Sequence, residues 1–277
     1  MNRRKFLKLA LGSAACASAV GLGYARVEAG WLRVERQTIT VPRLPPPFAG
    51  KTIALLADPH HGPFTSLEQI KVIVETTNAL KPDLVALAGD YVRESRGHVY
   101  IRPCLEALAG LRAPLGVYAV PGNHDHWDNI KLTRQAIRDN GITDVTNTGR
   151  WIELDGGRLR LGGVDDLWEG KQDLRAALGD ATPDDCCLLL SHNPDYVETL
   201  RDRRVGLVLS GHMHGGQIVV PGLGYHRLPS KYGTKYLQGL IRTPYTQVYV
   251  SRGLGTTGLP FRFRCRPEIN LLTLACG

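Results

Sequence analysis

The stretch VGLVLSGHMHGGQ, residues 205–217, joins an apolar run to two histidines that are separated by a single residue. The run VGLVLS predicts a buried β-strand, and His212 and His214 follow its end. In extended backbone, residues i and i+2 point to the same side, so both imidazoles can reach one place. The glycines around them indicate backbone that turns sharply or lies close to another group. The stretch therefore predicts a strand whose end presents two histidines to a common site.

Short apolar runs alternate with helix-like stretches in the part of the chain that precedes this segment. Buried strands are predicted at 51–58, 82–90, 115–125, 158–166 and 186–194. Helices are predicted at 66–80 with Ser66 as N-cap, over RPCLEALAGL, and over NIKLTRQAIRDNG, which Gly141 closes. This alternation predicts an α/β protein whose central strands are largely buried.

Nearly every predicted strand ends in a polar cluster that contains Asp, Asn or His. In α/β sheets, ligands bind beyond the carboxyl ends of the strands, so these clusters are expected to meet. Taken singly, an aspartate after a strand can cap the next helix, and one histidine can be a hydrogen-bonded core residue. Capping does not explain four histidines at strand ends in a chain that has nine. The combination therefore predicts a metal site, whose candidate ligands are Asp58, His60, Asp90, Asn123, His192, His212 and His214.

Seven ligands are too many for one transition metal ion and suit two, provided that one carboxylate bridges them. Asp90 is central in the ordered set, and we predict that it is the bridge. Imidazole and carboxylate donors together suit zinc, iron or manganese as divalent ions. Such a pair can clamp a phosphate during in-line displacement and lower the pKa of water towards 7.

The ordered motifs DPH, GD, GNHD, SHNPD and SGHMHGGQ resemble the motif series of the calcineurin-like metallophosphoesterases. The resemblance spans about residues 51 to 275. It implies a four-layer αββα sandwich, in which two mixed β-sheets pack together and are flanked by helices. It also implies a binuclear phosphoesterase, most often a phosphodiesterase, in which a hydroxide that bridges the metals attacks phosphorus in line.

The same resemblance assigns a role to each motif residue. Asp90 would be shared, and His124 would not ligate but would steady the phosphoryl oxygens or protonate the leaving oxygen. Asp125 would orient His124. The two metals would be held by Asp58, His60 and His214 on one side and by Asn123, His192 and His212 on the other.

Two other segments bear on the substrate. The second motif reads GDYVRE and lacks the GDxxDRG of protein Ser/Thr phosphatases, which argues against a phosphoprotein substrate. The tail SRGLGTTGLPFRFRCRPEINLLTL resembles small bacterial membrane-associated phosphodiesterases, so a lipid or a nucleotide-sugar lipid such as UDP-2,3-diacylglucosamine is a candidate. The alternation at 261–266 predicts an edge strand with one basic face, which either binds an anionic group or is simply solvated.

The sequence leaves two alternatives to a phosphodiesterase open. A metal-dependent hydrolase of the metallo-β-lactamase type also uses His-x-His, but within a contiguous His-x-His-x-Asp-His. Here Gly215, Gly216 and Gln217 follow the second histidine. A non-catalytic envelope binding module could retain the metal site, although all seven expected ligands are present.

The N-terminus predicts an export leader. Residues 1–29 run from a charged head with the pair Arg3–Arg4 into a modest apolar stretch, which resembles a twin-arginine signal. It is either cleaved, with VEA before Gly30 as the candidate site, or kept as a membrane anchor. We therefore expect the twin-arginine translocation machinery and the membrane surface as partners, and the periplasm or the outer face of the inner membrane as location. Residues 30–50 are predicted to be an extended, Pro-rich connector, and 51–277 the metallophosphoesterase domain.

The charge of the chain gives no sign of a nucleic-acid partner. The formal net charge is +8, and the first 29 residues carry five basic side chains against one acidic one, or +4, so +4 remains for the rest. No block of more than three consecutive Lys and Arg residues occurs, which disfavours a nucleic-acid-binding surface. Six cysteines are present without a C-x-x-C spacing, and a bridge between Cys265 and Cys276 is left open.

Overall fold

The computed structural model describes residues 2–277, except for the side chains of residues 6, 9–11, 14–17 and 96. Cys16 therefore lies outside the described side chains. The helices in the described part are α1 (Arg3–Glu28), α2 (Leu67–Ala79), α3 (Ile101–Leu108), α4 (Asn123–Asp139) and α5 (Leu174–Leu178). The strands are β1 (Arg33–Val41), β2 (Thr52–Leu56), β3 (Leu84–Leu87), β4 (Val117–Ala119), β5 (Thr143–Asp144), β6 (Thr148–Leu154), β7 (Gly157–Gly163), β8 (Cys187–Leu190), β9 (Val205–Ser210), β10 (Val219–Val220), β11 (Gly224–Tyr225), β12 (Gly239–Arg242), β13 (Gln247–Val250) and β14 (Glu268–Cys276).

Two six-stranded mixed sheets form the centre of the fold. The first sheet has the strand order β1-β14-β2-β3-β4-β5, and the second has the order β12-β13-β9-β8-β7-β6. In the first sheet β2, β3, β4 and β5 are parallel, and β14 is antiparallel to β2. In the second sheet β13, β9, β8 and β7 are parallel, and each outer strand is antiparallel to its neighbour.

The side chains of the central strands alternate between two cores, as the two-residue period of a strand requires. Along β2 and β8, Leu55 and Leu188 point into the core between the sheets. Their chain neighbours Leu56 and Leu189 point outwards, where the first packs with α2, α3 and α4 and the second with α5. The predicted four-layer arrangement of helices on two mixed sheets is therefore confirmed.

The predicted elements match the structure in the central part of the chain with one exception. The strand predicted at 115–125 ends at Ala119, and its last three residues form the first turn of α4. Ser66 caps α2, and together with Gln69 it forms a reciprocal capping box, because each side chain bonds the other's backbone N–H. The predicted helix that starts at residue 129 is the second part of α4. The chain is non-helical at Asn129, whose side chain accepts the N–H of Leu132.

Two predicted features differ from the structure. The lead-in at 30–50 is not only an extended connector, because β1 pairs with β14 over nine residues at the edge of the first sheet. Residues 261–266 do not form an edge strand with a basic face. Phe263 makes one isolated bridge to Ile218, and Arg262 is fully buried.

Helix α1 covers the segment that was predicted to be a leader, and its end contacts the domain. Among the described residues, no helix is both long and apolar enough to cross a membrane. The five cysteines after residue 100 are free thiols, so Cys265 and Cys276 are not bridged. Cys186 and Cys187 are buried in the cores of the sandwich.

Candidate metal centre

The carboxyl ends of five strands from both sheets meet at one edge of the sandwich. The predicted ligands follow β2, β3 and β4 in the first sheet and β8 and β9 in the second. The loops are tied to one another through the backbone, since Asp58 N–H donates to Gly89 O at 3.0 Å and His60 N–H to Asp90 O at 3.0 Å. His212 N–H donates to the Asp58 carboxylate at 2.9 Å and so joins the two sheets. The structure therefore brings all seven predicted ligands together.

The backbone of this region is strained at five of the seven predicted ligands. Their φ angles lie between 45° and 69°, in the left-handed region that residues other than glycine rarely adopt. Such conformations persist where the surroundings enforce them, and they cluster at functional sites. The five residues are Asp58, His60, Asp90, His212 and His214.

Two motif glycines are required because carboxylates approach them closely. A Cβ on Gly122 would lie 2.2 Å from Oδ1 of Asp90, and one on Gly211 would lie 2.4 Å from Oδ2 of Asp58. Both contacts are far shorter than any side chain allows. These glycines of the GNHD and SGHMH motifs therefore admit the two aspartates into the site.

The first half of the centre contains Asp58, His60 and His214. The Nε2 atoms of the two histidines are 3.1 Å apart. Oδ1 of Asp58 is 3.6 Å from Nε2 of His214, and Oδ2 of Asp90 is 3.5 Å from Nε2 of His60. These side chains are almost completely buried.

The second half contains Asn123, His192 and His212. Nε2 of His192 lies 3.2 Å from Oδ1 of Asn123 and 3.2 Å from Nδ1 of His212. The same atom is 3.3 Å from Oδ2 of Asp90, which therefore faces both halves. The other oxygen of Asp90 accepts the N–H of His124 at 2.9 Å, so Oδ2 is the oxygen that would be available to a cation.

In each of the second-half histidines, one ring nitrogen faces a backbone carbonyl and the other faces the centre. Nδ1 of His192 faces the carbonyl of Ala88 at 2.6 Å, and Nε2 of His212 faces the carbonyl of Pro229 at 2.9 Å. A carbonyl can only accept, so these two nitrogens carry the ring protons. In the neutral rings, Nε2 of His192 and Nδ1 of His212 therefore have no proton and face each other as acceptors. Ligands of one cation at about 2.1 Å lie about 3.0–3.4 Å apart. The donor set and its spacing therefore fit a transition metal ion.

Burial and neighbouring charges set the protonation of the ligands. Burial, the nearby histidines and, for His214, Arg262 hold the pKa values of His60 and His214 well below the usual range. For His212, burial and His192 lower the pKa to about 3. Burial raises the pKa of Asp58 to about 7, with a contribution from Asp90. Three ligands are thus neutral imidazoles at neutral pH, the form that binds metal.

Asp90 and His192 form a tightly coupled pair. Burial opposes charge on both, but the attraction to His192, His124 and His60 outweighs it and holds the pKa of Asp90 well below its usual range. In the same way, Asp90 overcomes burial and raises the pKa of His192 to about 10. Without a cation, a proton on Nε2 of His192 therefore occupies the place that a metal ion would take.

His124 lies beside the first half, and its partner is not the predicted one. Its ring packs edge-on against His60 with 4.6 Å between the ring centroids, and its Nδ1 is 2.7 Å from Oε1 of Glu94. Burial opposes protonation, but Asp90 and Glu94 outweigh it and raise the pKa of His124. The pair is thus suited to hold a proton near neutral pH.

Asp125 does not contact His124, which corrects the predicted orienting role. Its carboxylate instead accepts the backbone N–H groups of Asp90 at 2.8 Å, Tyr91 at 3.0 Å and Gly122 at 2.8 Å. Burial, with a contribution from Asp90, raises its pKa to about 7. Asp125 therefore fixes the loop that carries Asp90. Glu94, the last residue of the GDYVRE motif, pairs with His124 instead.

Arg262 was missed as a site residue. Its guanidinium is fully buried and places Nη2 3.3 Å from Nδ1 of His214. The alternation of Phe and Arg at 261–266 predicted an exposed basic face, and no local signal marks this one arginine as buried.

Two tryptophans flank the centre with their rings partly exposed. Trp127 packs against His124 and Trp168 against His212, with centroid distances of 4.6 and 4.4 Å. The indole N–H of Trp127 donates to Glu169 at 2.7 Å, which ties the two ring-bearing segments together. These rings give the mouth of the centre a flat, apolar lining.

The fold and the two ligand groups define a class of protein, the metal-dependent hydrolases that can hold two cations at strand ends. Residues 51–216 match the family model described as calcineurin-like phosphoesterase. The chain belongs to this family, whose members use a pair of divalent metals, and it is a metal-dependent phosphoester hydrolase. A hydrolase of another fold is thereby excluded.

Curated relatives agree with the family. The chain is 35% identical over 280 residues to the uncharacterized metallophosphoesterase YkuE of Bacillus subtilis (strain 168), with 99% of this chain and 98% of that protein covered. It is 32% identical over 279 residues to phosphodiesterase YaeI of Escherichia coli (strain K12), with 99% of both covered. The putative metallophosphoesterase F40B5.2 of Caenorhabditis elegans is 35% identical over 243 residues, which span 80% of this chain and 48% of that protein.

Proposed function

We propose that this chain is a binuclear metal phosphodiesterase of the bacterial envelope. The observation that carries the proposal is the position of Asp90 Oδ2, which is 3.5 Å from His60 Nε2 and 3.3 Å from His192 Nε2. One carboxylate oxygen thus faces the ligands of both halves. When bound, two manganese, iron or zinc ions would make water available as hydroxide at neutral pH and offset the charge of the phosphate.

The side chains of the protein supply the remaining functions. The carbonyls of Ala88 and Pro229 orient the rings of His192 and His212. Nε2 of His192 and Nδ1 of His212 are then directed at the place where a cation would bind. His124, whose pKa is raised by Asp90 and Glu94, can donate a hydrogen bond to a phosphoryl oxygen or, when protonated, a proton to the leaving oxygen. Glu94 and Trp127 hold its ring in place from two sides.

Preference for a diester is supported by the surroundings of the centre and by a relative. A diester carries a second organic group, and Trp127 and Trp168 are exposed by about 40% on the two flanks. Such rings gain free energy by covering flat or apolar groups. YaeI, which matches this chain from end to end, is named a phosphodiesterase. A lipid-linked phosphoester such as UDP-2,3-diacylglucosamine belongs to the same substrate class.

The envelope location rests on the N-terminal sequence. Arg3 and Arg4 begin a helix that continues to Glu28, and the pair precedes an apolar stretch as in twin-arginine signals. We propose export in the folded state through the twin-arginine machinery and action at the outer face of the inner membrane.

The test combines metal analysis with a substrate screen. The full chain, purified with manganese, iron or zinc, is expected to hold about two ions and to hydrolyse bis(4-nitrophenyl) phosphate faster than 4-nitrophenyl phosphate. Lipid and nucleotide-sugar diesters are screened in parallel, with the chelated protein as the blank. A metal-replete protein that is inert towards every phosphoester, and therefore behaves as a binding module, would refute the proposal.

A further inference from the structure

The end of helix α1 is packed into the domain. Ala25 and Ala29 are buried, and Glu28 is only 1% exposed, whereas Val27 between them is 67% exposed. Tyr24 packs edge-on against Phe263 with 5.9 Å between ring centroids. A buried carboxylate that has lost its water is stabilised only if hydrogen-bond partners replace that water.

Three hydrogen bonds join this helix end to residues 262–265. The carboxylate of Glu28 accepts the N–H of Arg264 at 3.0 Å and the N–H of Cys265 at 2.7 Å. The carbonyl of Ala25 accepts the N–H of Arg262 at 3.0 Å. The buried arginine and the residues that follow it are thus fixed by a single helical turn.

Arg262 in turn holds the wall of the first half of the metal centre. Its guanidinium donates to the carbonyls of Gly255 at 2.6 and 3.0 Å, of Arg252 at 2.9 Å and of Cys265 at 3.1 Å, and it lies 3.3 Å from His214.

The hydrogen bonds continue from Arg262 and Cys265 to two of the predicted metal ligands. Gly255 N–H donates to the backbone oxygen of Asp58 at 2.7 Å. The thiol of Cys265 donates to the carbonyl of His214 at 3.1 Å. A continuous set of hydrogen bonds therefore runs from Glu28 to two ligands of the first half.

We propose that residues 24–29, at the end of the predicted leader, are a permanent part of the metal centre, with Glu28 as a positioning residue, and that the chain is not cut after Ala29. A peptidase needs an accessible, extended segment, and here Glu28 and Ala29 are buried at a helix end. If the chain crosses the membrane already folded, the peptidase meets this structure and not a free tail. Cutting after Ala29 would remove both Ala25 and Glu28. The backbone N–H groups of Arg262, Arg264 and Cys265 would then lose their acceptors.

The claim that the chain is not cut after Ala29 is tested by determining the N-terminus of the folded protein. The full chain is expressed in bacteria, and the folded protein from the envelope and from the soluble fraction is analysed by intact mass and N-terminal sequencing. We expect every folded form to retain residues 24–29. A folded, metal-binding form that begins at Gly30 would overturn the proposal.

The claim that Glu28 positions the metal ligands is tested by cobalt(II) titration of full-length variants, which does not depend on catalysis. For Glu28→Ala we expect one of the two cobalt equivalents to bind about tenfold more weakly, with the other unchanged, and the Tm to fall by roughly 5–10 °C. Glu28→Gln keeps one acceptor oxygen and should recover part of both losses. Glu75→Gln on the exposed face of α2 is the matched control.

Two features of the result distinguish positioning from general destabilisation. A purely structural role would lower the Tm and leave both cobalt affinities and the visible absorption spectrum of the bound cobalt unchanged. Wild-type affinities in both Glu28 variants would contradict the proposal. If the alanine variant does not accumulate as folded protein, the glutamine variant supplies the same comparison. Since cobalt binding needs no substrate, an inactive enzyme would refute the proposed function without affecting this result.

Discussion

The two halves of the metal centre differ in the contacts of their outer nitrogens, by which we mean the histidine ring nitrogens that point away from the centre. In the second half, the outer nitrogens are Nδ1 of His192 and Nε2 of His212, and each faces a backbone carbonyl. In the first half, Nδ1 of His60 has no hydrogen-bond partner among the described residues, and Nδ1 of His214 faces Arg262, which can only donate. Carbonyls that fix a ring and raise its basicity strengthen metal binding. The second half is therefore prepared for a cation, and the first half depends on packing and on Arg262.

The largest expected effect comes from Asp90, which belongs to both halves. Asp90→Asn removes the negative charge and the shared oxygen, and we expect kcat to fall by about 10³-fold or more. Metal content and steady-state hydrolysis of bis(4-nitrophenyl) phosphate measure this loss. Asp139→Asn, at an exposed position near the end of α4, is the control with the same chemical change. Activity near that of wild type in the Asp90 variant would remove the basis for a shared ligand.

His124 tests whether a residue beside the first half acts without binding metal. His124→Ala should reduce kcat by about 10²-fold and leave two ions per chain. A loss of metal in this variant would make His124 a ligand and so contradict the assignment.

Glu94 should act on the same step through the pKa of His124. An anion beside an imidazolium raises its pKa, so Glu94→Gln should lower that pKa and shift the basic limb of the kcat–pH profile to lower pH by up to about one unit. A shift to higher pH, or none, would show that Glu94 does not control His124.

The affinities of the two halves sharpen the comparison directly. We expect the metal-free chain to bind two cations in separate steps, the tighter at the second half by at least about tenfold. His212→Ala should remove the tight step and His214→Ala the weak one, as measured by calorimetry. If His214→Ala abolished the tight step instead, the predicted order of affinities, with the second half tighter than the first, would be wrong.

The pH dependence of metal binding should also differ between the halves. The pKa of His192 is raised to about 10, so below that pH a proton must leave before a cation binds, and affinity at the second half should rise about tenfold per pH unit from pH 7 to 9. Asp58 in the first half has a pKa of about 7 and is mostly ionised above it, so the first half should change less over the same range. Equal slopes for the two steps would contradict this assignment of protons.

The smallest effect is expected at the mouth of the centre. Trp168→Ala removes a ring beside the second half and should raise the KM for bis(4-nitrophenyl) phosphate about three- to tenfold, with little change in kcat. Methyl 4-nitrophenyl phosphate, which has one aromatic ring, should be affected less. Equal effects on both substrates would argue against stacking as the source of binding.

The sequence was most informative where the ligands directly follow apolar runs. A run such as VGLVLS predicts a buried strand by its composition, and the order of parallel strands brings the residues after each run to one edge. His212 and His214 could thus be assigned from local pattern and a general rule about sheets. The family resemblance then divided the ligands between two halves, and the distances agree with that division.

Features that depend on distant contacts could not be obtained in this way. Arg262 lies in an alternating segment that has the pattern of a strand, but its buried guanidinium bonds the carbonyls of Arg252, Gly255 and Cys265. Its backbone N–H bonds Ala25 of helix α1, more than 230 residues earlier in the chain. Asp125 and Glu94 are both acids near His124 in the motifs. Only the orientation of the first turn of α4 determines that Asp125 holds the Asp90 loop and Glu94 reaches the imidazole.

Anomalous diffraction from crystals soaked in manganese or zinc would test the central claim most directly. Two peaks are expected on either side of Oδ2 of Asp90, one within reach of Asp58, His60 and His214 and the other within reach of Asn123, His192 and His212. A single peak, or two peaks that do not share Asp90, would contradict the account.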